Sequence, residues 1–141
     1  MKKFLLSVVV GLLVACGSED STSAPVDDCT LSGDAQVEWV SPQGGESFKS
    51  GETVTVKWKA DADQFTGFLI KISADGGETW EIPITESLHT SATGVSCLEW
   101  DWEVSSDLLI DGSVNNQVQI RVQDYSDASL RATTGDLTVE P

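Results

Sequence analysis

Residues 67–84 read GFLIKISADGGETWEIPI, and their patterning decides the fold. Phe68, Ile70 and Ile72 alternate with Leu69, Lys71 and Ser73, the two-residue period of a strand with one buried face. Asp75-Gly76-Gly77 then supplies residues that tolerate positive φ where strands reverse. Thr79-Trp80-Glu81-Ile82 is β-branched and aromatic again. The stretch therefore predicts a β-hairpin with a loop of about four residues.

Outward from the hairpin the same period recurs. Residues 36–41 (QVEWVS) form a first strand, ended by Pro42 and the Gly44-Gly45 turn. Residues 53–60 (TVTVKWKA) place Val54, Val56 and Trp58 on one face. Residues 95–104 (VSCLEWDWEV) place Leu98, Trp100, Trp102 and Val104 inward, with Cys97, Glu99, Asp101 and Glu103 outward. In 117–125 (QVQIRVQDY) the inward set is Val118, Ile120 and Val122, and in 136–140 it is Leu137 and Val139. About seven short strands separated by turn signals, with no helical period, predict an all-β antiparallel sandwich over 35–141.

The N-terminus reads as an address. Met1-Lys2-Lys3 precedes the apolar run 4–15 (FLLSVVVGLLVA), which is shorter than the ~20 residues of a spanning helix and suits a signal peptide. Leu13-Val14-Ala15-Cys16 resembles the bacterial lipobox. That resemblance implies cleavage after residue 15 and a diacylated Cys16 anchoring the chain in the membrane. Gly17 is not the aspartate that retains enterobacterial lipoproteins in the inner membrane, which points to the outer membrane. Glu19-Asp20 resembles the acidic export signal of some surface-displayed lipoproteins. Residues 16–34 are acidic and Ser/Thr-rich, too poor in apolar side chains to offset the cost of ordering, and predict a disordered tether.

Charge narrows the partners. Lys+Arg is 8 against Asp+Glu 23, a net −15, and loss of Lys2 and Lys3 with the leader takes it to −17. Such a surface repels phosphate backbones, so no nucleic-acid partner is expected. Three cysteines are present. With Cys16 acylated, Cys29 and Cys97 are left as a disulfide pair in an oxidising compartment. The outward register of Cys97 makes that bond a clasp on the outside of the sandwich.

Five pieces in order resemble a known domain: Ser41-Pro42-Gln43-Gly44-Gly45-Glu46, the run 51–58 (GETVTVKW), the run 70–80 (IKISADGGETW), Trp100-Asp101-Trp102, and the run 118–122 (VQIRV). They look like the Ig-like domain of bacterial surface proteins and of the Ser/Thr-rich, GPI-anchored yeast cell-wall proteins of the Kre/Knh type. The resemblance implies an Ig-like sandwich at a cell envelope. In yeast, these relatives are linked to β-1,6-glucan assembly, and the resemblance brings no catalytic residues.

Ser73, Asp75, Gly77, Thr79 and Trp80 also match the Asp-box pattern S-x-D-x-G-x-T-W of sialidases and other β-propellers. Physically it is a turn whose aspartate accepts backbone N–H groups, and one copy cannot make a propeller. His89 is the single histidine and lies in a polar segment with Ser87 and Ser91, without a nucleophile elbow. Oxygen donors from loops are what Ca²⁺ selects, which makes Asp111, Asp124 and Asp127 candidate ligands, although no EF-hand spacing is present. No other cofactor is expected.

The sequence thus predicts a non-enzymatic, lipid-anchored envelope protein presenting an Ig-like module to a glycan or a protein, or organising the surface or cell wall. Two alternatives are a structural surface protein without a ligand and a small envelope hydrolase using acidic residues, while Glu99, Asp101 and Glu103 read as a solvated face. Trp39, Trp80 and Tyr125 are the candidate ligand contacts: together on one open face they would favour a glycan. Buried, they would favour protein contact or no ligand.

Overall fold

The computed structural model describes residues 29–80, 82–83 and 91–141. The expected leader, Cys16, the tether up to residue 28, Ser87 and His89 lie outside them. Among the described residues nine strands form two sheets. The smaller runs in the order β1 (Val37–Ser41), β3 (Thr53–Asp61), β6 (Val95–Glu103), antiparallel throughout. The larger runs β2 (Ser47–Lys49), β9 (Leu137–Glu140), β7 (Asn115–Asp124), β4 (Phe68–Ser73), β5 (Ile82–Pro83). A short β8 (Arg131–Thr133) pairs with β7 over Arg121 to Gln123, beside the stretch of β7 that pairs with β9. The order β1-β3-β6 facing β9-β7-β4 is that of the two sheets of an immunoglobulin sandwich. This is the Ig-like all-β fold the sequence predicts.

The first strand is split between the sheets. After β1 the chain turns at Pro42, crosses over, and returns as β2 in parallel with β9. The crossing needs a close approach of backbones: Gly45 N–H donates to the Asp136 carbonyl and Gly135 N–H to that of Gln43, both at 2.7 Å. Gly44 sits there with φ +148°, and a Cβ on it would stand 3.0 Å from Gly135 Cα. A side chain at either glycine would wedge the crossover open.

The core holds the alternating set: Val56, Trp58, Phe68, Ile70, Ile72, Trp102, Val104, Val118, Ile120, Val122, Leu137 and Val139 are all buried. Trp58 meets Phe68 edge-on at 5.7 Å, and Phe65 stacks on Phe68 at 4.6 Å. Leu108, carried on the 3-10 turn Ser106–Leu108, also reaches this core. Trp100, Leu98 and Val54 point the expected way but are half-buried. Among the described residues β6 is an edge strand, so its side chains are covered on one flank. The Trp58 indole N–H is buried with no hydrogen-bond partner among the described residues.

Two expectations change. Ile82 pairs with Ile72 in β5, and residues 74–80 lie outside any strand, so Thr79 and Trp80 belong to the loop. The folded chain also starts ahead of Ala35. Cys29 is bonded to Cys97, and Ser32 N–H donates to Glu38 Oε1 at 2.7 Å. Residues 29–34 are therefore fastened to the sandwich.

Candidate functional site

The central loop is built around one carboxylate. Asp75 accepts the Thr79 N–H at 2.9 Å and the Thr79 hydroxyl at 2.6 Å, and the Ser73 hydroxyl donates to it at 2.6 Å. Ser73 in turn accepts the Gly77 N–H at 2.8 Å. The Ser73 and Thr79 hydroxyls, then the Thr79 N–H, hold the Asp75 carboxyl down to about 2. These contacts pull residues 79–80 out of the strand and into the turn. Trp80 closes it by donating its indole N–H to the Gly77 carbonyl at 2.9 Å. Gly77 has φ +87°, and a Cβ there would meet Gln119 Oε1 at 2.7 Å and Trp80 Cζ2 at 3.2 Å. The sequence-predicted set of Ser73, Asp75, Gly77, Thr79 and Trp80 is thus a single turn.

Trp80 does not stand alone. The Arg121 guanidinium lies over its ring, 3.7 Å from the centroid. Arg121 faces Lys71 directly across the β4–β7 pair and Thr133 across the β7–β8 pair, with Arg131 opposite Gln123 next along. Their neighbours Ile70, Ile72, Ile120 and Val122 point into the core, so Lys71, Arg121 and Arg131 share the outer face of the larger sheet. Burial, then the nearby Arg131 charge, push Arg121 below the ordinary guanidinium value. None of the three cations is in an ion pair among the described residues, whereas Lys57 approaches Glu99 at 4.0 Å on the other sheet.

The candidate aromatic contacts separate. Trp39 lies on β1 in the smaller sheet, half-buried against the core, and its indole N–H donates to the Pro42 carbonyl. Trp80 is half-buried beside Arg121. Tyr125, just past β7, is 66% exposed. They do not form one open platform.

Nor do the three aspartates share an ion. Asp111 lies in the turn before β7 and Asp124 at the far end of that strand. The 10 residues of β7 separate them, a span of about 30 Å. Asp124 is buried and already surrounded by donors: the N–H groups of Thr66 (2.6 Å), Ser126 (2.8 Å) and Asp127 (2.8 Å), with the Thr66 and Ser126 hydroxyls at 3.0 and 2.9 Å. Burial alone would raise this carboxyl, but those hydrogen bonds hold it far below the carboxylate range. Asp127 accepts from the Ser129 hydroxyl and N–H, which lower it. Donors surround these oxygens where a cation would need to stand. Among the described residues no group of three or more His, Cys, Asp or Glu could hold a metal ion.

Two concavities, of about 390 and 190 Å³, are lined by Ser50, Gly51 and Glu103 to Ser106, and by residues around Lys57, Trp58 and Leu98. Neither borders the cationic face. Searches with the chain found no matching protein-family model and no matching curated protein.

Proposed function

We propose that this is a non-enzymatic envelope lipoprotein, anchored in the outer membrane through Cys16, whose Ig-like domain is a binding module for an envelope glycan or protein. The observation that carries this reading is the Cys29–Cys97 bond on the exposed face of the smaller sheet. It uses two of three cysteines, leaves Cys16 as the odd one, and suits an oxidising compartment. On this reading it marks where the chain from the anchor meets the domain. Attachment on the smaller sheet turns the outer face of the larger sheet away from the anchor. The resemblance to cell-wall Ig-like domains supports the same setting.

A binding role is favoured over hydrolysis by the behaviour of the carboxyls. Those with displaced pKa values among the described residues (Glu38, Asp75, Asp124 and Asp127) are all displaced downward by hydrogen bonds. Such groups brace backbone. A glycosidic general acid needs the opposite shift. Palmitate labelling and detergent-phase partitioning of the Cys16→Ser variant test the anchor. Wild type should take label and enter the detergent phase, and the variant should do neither. Identical partitioning of the two would overturn the reading.

A further inference from the structure

We propose that the outer face of the larger sheet, where Lys71, Arg121 and Arg131 meet beside Trp80, binds a linear polysaccharide bearing carboxylate groups. The proposal rests on the reading of the domain as a binding module and is independent of the lipid anchor. It starts from an imbalance. With Lys2 and Lys3 set aside, the chain has six cations against 23 carboxylates, and half of those cations sit on this one face, without an ion pair among the described residues. Repulsion between like charges costs stability, and here two guanidinium groups and an ammonium share a patch while acidic residues are plentiful. Asp136, just before β9, accepts from the Gln119 side chain at 2.7 Å, so this carboxylate is engaged by an amide. A cationic cluster without a carboxylate partner among the described residues of so acidic a molecule is complementary to an anion from outside.

The geometry selects the kind of anion. Arg121 stacks on Trp80 and directs its Nε–H toward Thr133 Oγ1 at 3.4 Å. Stacking of this kind fixes the guanidinium plane and leaves its remaining N–H edge for bidentate contact with a carboxylate. The three charges lie on adjacent strands β4, β7 and β8, spread over about 10 Å across the sheet. Their surroundings are polar, with Gln119 and Thr133 able to meet hydroxyl groups. The patch has no buried apolar centre of the type that anchors protein partners. The exposed large apolar residues Val95, Ile110 and Val114 lie elsewhere, and Tyr125 sits past the end of β7. Neither concavity opens on this face to enclose a small ligand. A flat, polar, cationic strip fits an extended acidic glycan.

The test uses the full-length protein in non-ionic detergent, titrated at low salt with polygalacturonate, dextran and poly-L-glutamate. Polygalacturonate should bind, dextran should not, and Arg121→Gln/Arg131→Gln should weaken binding roughly tenfold or more. A melting curve on each variant reports folding. If the double variant unfolds, Arg131→Gln and Lys71→Gln singly take its place. Tighter binding of poly-L-glutamate would assign the face to an acidic protein and overturn the polysaccharide. Failure of both polyanions to bind, or binding unchanged in folded variants, would overturn the anion site. Either failure leaves the envelope reading to the Cys16 acylation assay, which is independent of this face.

Discussion

Asp124 and Asp75 do the same work at opposite ends of β4, each gathering N–H and hydroxyl donors around one carboxylate. Every partner of Asp75 lies within four residues of it, so S-x-D-x-G-x-T-W spells out the turn. Asp124 binds Thr66 across 58 positions, and no local pattern encodes such a distance. Its place in a loop suggests a cation ligand, whereas its oxygens accept backbone N–H groups instead. Asp124→Ala should cost about 3 kcal/mol, because several partly buried N–H groups lose an ionised acceptor at once. Denaturant titration would measure it. Both carboxyls are depressed in the folded state, Asp75 to about 2 and Asp124 further. Their contribution is therefore complete above about pH 5 and drains as pH falls through about 4 toward 2. Acid unfolding of Asp124→Asn should show a shallower dependence over that window than wild type. Gly77→Ala should cost roughly 1–2 kcal/mol from its left-handed φ alone, before displacement of the Gln119 side chain.

At the scale of elements, the long alternating strands were readable because one face of each is buried. β3, β4, β6, β7 and β9 all appear within a residue or two of their expected limits. The short ones escaped: β2 and β8 have 3 residues each, too few for a period to register. The Lys71–Arg121–Arg131 cluster escaped for a related reason. Outward positions can be read strand by strand, but which strands lie side by side is a property of topology. The outward side of Cys97 was legible from alternation and holds in the fold, where Cys97 is exposed and paired with Lys59. The bond spans a sequence separation of 68, which in the chain-entropy model stabilises by about 4 kcal/mol. Reduction should lower the melting temperature in calorimetry while leaving a cooperative transition, since the buried tryptophans are untouched.

For the whole molecule, charge sets the terms. A net −15 over the full chain makes the folded domain repel itself. Raising salt from a few millimolar to about 0.5 M should therefore raise the melting temperature, by roughly 5 °C if screening returns about 1 kcal/mol. Binding of polygalacturonate should respond to salt in the opposite sense. Opposed salt dependences for folding and for binding would separate the global field from the local cationic face. A melting temperature insensitive to salt would show that the acidic groups are too dispersed to matter.

The clasp between Cys29 and Cys97 also has a mechanical meaning. Tension arriving from the N-terminal side passes through the sulfur bridge straight into the middle of β6. Residues 30–96, which include β1 to β5, are short-circuited by the bond. Pulled between its ends, the oxidised domain should pay out only the chain beyond residue 97, whereas the reduced one should release its full folded length. A force-extension trace with and without reductant would show the two contour lengths. A domain stretched between an N-terminal anchor and a bound polymer would then keep its first five strands out of the line of pull.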